Sequence, residues 1–250
     1  MSGMSDLSSD MVSRRSLGRG FSLLELLVVI GLIAGLTAFL VSGIGRGGKS
    51  TSLQSGQAML ANLVTAARTK ALATGRKTRL LVQADAAAAP ASRFLRLIVM
   101  QLARQSGPSP ANWDTIEMTS LPESVYAMPS SLTLANGLVA VAADWKKTSA
   151  PAADLVSDLF SGQSISVTLE GETVAQTWTG VAFTANGTLA PLAGGFPPKG
   201  TLVLALGVVR APGSYATGDS PVQLTSPQSV RGLSLSAYGV PALLNDRAAF

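Results

Sequence analysis

The octapeptide GIGRGGKS at 43–50 satisfies the pattern of a phosphate-cradling loop, G-x-x-x-x-G-K-S. In that chemistry Lys49 meets the phosphates, Ser50 holds a magnesium ion, and a helix follows. LVAVAAD at 138–144 imitates the apolar strand whose terminal Asp holds the same metal. The context opposes the match. The apolar run before it is far longer than a strand, and later strand-like segments do not alternate with helices. Residues 43–50 therefore read as a solvated glycine hinge. A different chemistry attaches to Glu25, the only charge in FSLLELLVVIGLIAGLTAFLV at 21–41. A carboxylate inside a membrane helix costs about 2.5–3.5 kcal/mol on insertion scales, so it needs a partner. The pairs Asp114/Glu117, Asp154/Asp158 and Glu170/Glu172 have no spacing that defines a glycosidase or a metal site and read as surface charge.

Histidine and cysteine are both absent. The commonest general base, the commonest transition-metal ligand, the thiolate nucleophile and the disulfide go with them. The sequence thus predicts no catalytic residue, no cofactor and no metal. Net charge is +5, with only 13% of residues charged. Residues 1–20 hold three Arg and two Asp, so side chains beyond them sum to +5 − 1 = +4. Arg68, Lys70, Arg76, Lys77 and Arg79 form a dense basic cluster. It suits phosphate contact with DNA or lipid. It also suits cations at the negative end of a helix dipole and along an edge strand, which is the favoured reading.

Certain elements must position these residues. The 250-residue chain is 47% hydrophobic, enough for a core. Residues 1–20 form a basic leader ending in Arg19 and Gly20. As a helix, residues 21–41 would span about 31 Å, the thickness of a bilayer core. Residues 42–50 form a glycine-rich break. Residues 51–75 read as an amphipathic helix with Leu53, Leu60, Leu63, Ala67 and Ala71 on one face and Gly75 as its C-cap. Residues 76–250 carry short strands, predicted at 78–83, 93–101, 113–118, 123–128, 163–169, 178–184, 201–209 and 231–238. Asn186-Gly187 marks a hairpin turn. The expected fold class is α+β: a long, partly transmembrane N-terminal helix packed on an antiparallel β-sheet domain.

The stretch RGFSLLELLVVIGLIAGL resembles the processing signal of type IV prepilins and pseudopilins. A basic leader ends in Gly20, the apolar aromatic Phe21 follows, and Glu25 is the fifth residue after the junction. The resemblance implies cleavage after Gly20 by a membrane prepilin peptidase, methylation of the new Phe21 amine, and use of Glu25 in assembly. A looser resemblance, to GspH/FimT-like minor pseudopilins, rests on Arg68, Ala71 and Gly75 in AARTKALATGRKTRLLV (66–82), on GVAFTANGTL (180–189) and on SVRGLSLSAYGV (229–240). Many pilin-like helices carry a proline partway along, where this chain has its glycine patch. Residues 85–175 match nothing in the pattern.

These readings imply a structural subunit, a minor pilin or pseudopilin of a type II secretion system or type IV pilus. Its partners would be the prepilin peptidase, other pilin or pseudopilin subunits and the inner membrane, crossed once with the C-terminal domain in the periplasm. Nucleic acid is the less favoured partner. The alternatives are a membrane-anchored periplasmic binding domain, for DNA among other ligands, and, last, a P-loop NTPase.

Overall fold

The computed structural model describes residues 22–105, 112–132, 142–148, 153–216 and 219–250, with the side chains of 38–49 excepted. The chain divides into two units, Met1–Gly45 and Arg46–Phe250. Helix α1 covers Leu23–Thr74. It begins where Ser22 can cap it, the Glu25 N–H donating to Ser22 Oγ at 3.1 Å. It ends before Gly75, whose φ of +62° is the left-handed turn expected of a C-cap glycine.

In the second unit α1 buries one stripe: Leu53, Gln57, Leu60, Val64, Ala67 and Ala71, with Leu63 beside it. The spacing of three and four residues puts them on one side of the helix. Gln57 is polar yet fully paired. Its Nε2 donates to Gly232 O and Leu244 O, each at 2.8 Å, and its Oε1 accepts from Arg231.

Among the described residues ten strands follow: β1 Thr78–Gln83, β2 Leu97–Ala103, β3 Trp113–Ser120, β4 Val125–Ala127, β5 Ser164–Val167, β6 Gln176–Phe183, β7 Leu189–Ala190, β8 Thr201–Val209, β9 Val222–Leu235 and β10 Pro241–Leu244. They form two antiparallel sheets. The first has the order β3-β2-β1-β6-β5, with β7 also on β6; the second has the order β10-β9-β8-β4. The inner faces meet α1 in one core that joins Leu60 and Val64 to Leu80, Val82 and Val181 of the first sheet and Leu202, Leu204 and Leu233 of the second. The opposite face of the second sheet is also covered. Val203, Ala205 and Val230 pack there with Trp145, Leu155 and Phe250. That explains why TLVLALGVV reads as a continuous apolar run: a strand buried on both faces has no polar alternation.

The expected fold class needs correction. The structure is mostly β, in two sheets rather than one, and among the described residues no helix is long and apolar enough to cross a membrane. The apolar part of α1 with described side chains, Leu23–Thr37, is exposed throughout, and the part that packs on the sheets is the amphipathic stretch from Leu53. At 42–50, where a glycine-rich break was expected, the backbone is helical, and the boundary between the two units, Gly45/Arg46, falls within this stretch. Glycine inside a helix costs only about 1 kcal/mol relative to alanine, so a glycine patch does not by itself stop one.

Candidate functional site

Gly20 and Phe21 lie outside the described residues. Glu25 is in the first turn of α1 and exposed. Its backbone is tied to Ser22, as in the S-x-x-E pattern of a capping box, and its carboxylate lies near the positive end of the helix. Around it Leu23, Leu24, Leu27 and Ile30 are 82%, 74%, 63% and 59% exposed. An apolar surface this continuous marks a region that is covered by lipid or by another protein.

The P-loop pattern does not form a phosphate cradle. Residues 43–50 have helical backbone, so their N–H groups are spent on helical hydrogen bonds rather than converging on an anion. Asp144 ends a short 3-10 turn, Ala142–Asp144, rather than a strand, and residues 138–141 lie outside the described residues.

The basic cluster is not one patch. Arg68 is half-buried, and its Nε donates to Gly187 O at 3.2 Å and to Tyr238 O at 2.7 Å. Arg76 donates to Arg104 O at 3.1 Å. Arg79 is on a sheet face, bonded to Gln101 and stacked on Trp113. Lys70 is exposed on α1. Arg68, Arg76 and Arg79 thus make contacts in three different local structures.

Arg68 brings together the three segments that resembled minor pseudopilins. The first contributes Arg68 itself. The second contributes the turn after β6, where the Gly187 N–H donates to Thr184 O at 2.9 Å and φ is +69°. A Cβ on Gly187 would lie 2.9 Å from Leu72 Cγ and 3.2 Å from Arg68 Cγ, so only glycine lets this turn sit against α1. The third contributes Tyr238, in the turn between β9 and β10. Spacing alone could not show that one side chain reads both turns. The signal was a single arginine on an otherwise small-residue stretch of helix.

Arg68→Ala should cost about 2 kcal/mol, since it leaves two carbonyls without a charged donor. For a chain of this size that corresponds to a fall of roughly 4–8 °C in Tm. Arg68→Lys should lose nearly as much, because an ammonium cannot reproduce the planar donor. Lys70→Ala, two residues on and exposed, is the control and should stay within about 0.5 kcal/mol. Thermal unfolding followed by circular dichroism measures all three; equal melting of the Arg68 and Lys70 variants would remove the structural role of this junction.

Comparison with family models, with curated proteins and with solved structures gave no match.

Proposed function

We propose that this chain is a structural filament subunit, a minor pilin or pseudopilin of a type II secretion or type IV pilus machine. One observation carries the reading: the helical stretch Leu23–Thr37 is apolar and exposed along its whole length, with Glu25 as its single charge. A surface of that kind needs a non-aqueous neighbour, and one carboxylate within it needs a cation. The junction Arg19-Gly20-Phe21 supplies the means to make that cation. Cleavage after Gly20 by a prepilin peptidase frees the Phe21 amine, and the amine of one subunit pairs with Glu25 of the next. The chain is held at the inner membrane by residues 21–41 until assembly, with its β domain in the periplasm. It acts as a packing element and uses no cofactor. The convergence of three pseudopilin-like segments on Arg68 supports the same reading.

The test is the intact mass of the protein from cells that carry the peptidase. The mature chain should begin at Phe21. A mature N-terminus at Ile44, or an uncut leader in that host, would overturn the proposal.

A further inference from the structure

The first sheet holds a site that filament packing does not use. Side chains alternate along β1, so Arg79 and Leu81 are on the face opposite Leu80 and Val82. Leu81 is buried there with Val99 and Trp178. Arg79 instead lines a groove of about 480 Å³, with Gln101 from β2, Trp113 from β3, and Ile165 and Val167 from β5. β5 is not adjacent to β1, because β6 lies between them. The β6 residues opposite Leu81 and Arg79 are Gly180 and Ala182, both small, and this leaves the space open.

The guanidinium is held on two sides. Its carbon is 4.1 Å from the centroid of the Trp113 ring. Its Nε donates to Gln101 Oε1 at 2.8 Å. Gln101 Nε2 in turn donates to Thr115 Oγ1 at 3.1 Å, which fixes the amide with its oxygen toward the arginine. The group is therefore rigid before any ligand arrives, which reduces the entropy lost on binding. It has no carboxylate partner among the described residues. The ion pairs there join Arg93 to Glu172, Arg104 to Asp114, Lys146 to Asp154 and Lys147 to Asp158, so the acid next to Trp113 is already taken. Residues 106–111, SGPSPA, contain no acid. Burial pulls the Arg79 pKa down to about 10, which is the sign of a cation losing water without gaining a counter-charge.

We infer that this groove binds a carboxylate carried on a short apolar body, the chemistry of a peptide C-terminus ending in an aliphatic residue. The terminal N–H groups of Arg79 match a carboxylate in bidentate geometry. A single cation balances a monoanion, whereas a phosphate dianion would leave a charge unpaired in a half-buried site. Trp113, Ile165 and Val167 supply apolar contacts for the body of the ligand, beside the polar Asn112, Ser166 and Thr168. The volume falls within the range of about 300–1,000 Å³ usual for ligand sites.

Calorimetric titration of the full chain in detergent tests this with four probes: a hexapeptide ending Val-Leu with a free carboxylate, its C-terminal amide, N-acetyl-leucine, and inorganic phosphate as competitor. The acid should bind at least tenfold more tightly than the amide. Arg79→Gln should lose binding to a similar extent, and Arg79→Lys should fall between the two. N-acetyl-leucine binding as tightly as the hexapeptide assigns the site to small carboxylic acids; weaker binding assigns it to peptide ends. The amide comparison uses the unaltered protein, so it stands even where Arg79→Gln unfolds. Equal binding of acid and amide, unchanged affinity in a folded Arg79→Gln, no binding of any probe at millimolar concentration, or displacement of the hexapeptide by phosphate more effective than by N-acetyl-leucine overturns the inference.

Discussion

Glu25→Val should yield a protein that is cut after Gly20 as well as the wild type yet is largely missing from filaments. Cleavage depends on the junction, which the substitution leaves intact. Helix initiation should survive as well. The bond at the start of α1 is made by the Glu25 backbone N–H to Ser22 Oγ, and valine keeps that N–H. What the helix loses is a favourable charge at its N-terminus, about 0.3–1 kcal/mol. The assembly loss is larger. On the proposed function, removing the carboxylate leaves the Phe21 amine of a neighbouring subunit unpaired in an apolar bundle. Breaking a buried pair in this way costs about 3–5 kcal/mol, a factor on the order of 10² to 10⁴ in the equilibrium. Axial register is lost too, because the pair is the only feature that tells one offset of two apolar helices from another. Processing by intact mass and incorporation by cross-linking, read in the same cells, separate the two steps. A processed Glu25→Val protein that enters filaments like wild type would end the proposed role of the carboxylate.

The largest effect on stability is expected at Gly180. A Cβ there would lie 2.0 Å from the carbonyl oxygen of Leu80. That atom is backbone in the central strand pair, where Gly180 is opposite Leu81, so it cannot swing aside as a side chain would. Gly180→Ala must therefore push β6 away from β1 or twist the ladder. Overpacking of this kind costs about 3 kcal/mol at the upper end of the usual range, or roughly 6–12 °C in Tm for a chain this long. Gly232→Ala should behave alike, since its Cβ would lie 2.1 Å from Leu202 O in the second sheet. Gly35→Ala, in α1 with nothing within 4 Å of the added carbon, should not lower the melting temperature. Matching melting curves for Gly180→Ala and wild type would show that the strands can separate at no cost, against the geometry.

Much of the β domain was legible because local rules dominate there. TRLLVQ and TLVLALGVV are bounded by glycine, proline or charge, and both strands fall where these signals placed them. The stripe on α1 was legible through its spacing, which located Leu53, Leu60, Leu63, Ala67 and Ala71 in the core. The division into two sheets was not, because it depends on which distant strands pair. Nothing near β1 says that its second neighbour is β6 rather than β3. β10 was not among the predicted strands; it begins at Pro241, and a proline is tolerated at the first residue of a strand. At the glycines 43–48 composition suggested a break; the backbone there is helical, while the two units divide between Gly45 and Arg46. Arg68 and Arg79 were counted as members of a charge cluster. Sequence proximity grouped them, and the fold sent one to two turns and the other to a sheet face.

The pairing of the earliest elements with the latest has a bearing on how the chain acquires its structure. β1 has β2 at hand soon after synthesis, but its other edge stays open until β6 exists. Gln57 cannot place its amide until Gly232 and Leu244 arrive, and Arg68 waits for Tyr238. Contacts that close loops this long are entropically costly to form and slow to reward, so they lengthen folding times. The apolar stripe of α1 thus stays wet while most of the polypeptide is made. The contacts of the tail with the helix can form only last, and on the proposed function a chain moved across a membrane in vectorial fashion would keep a threadable form until its final strands emerge.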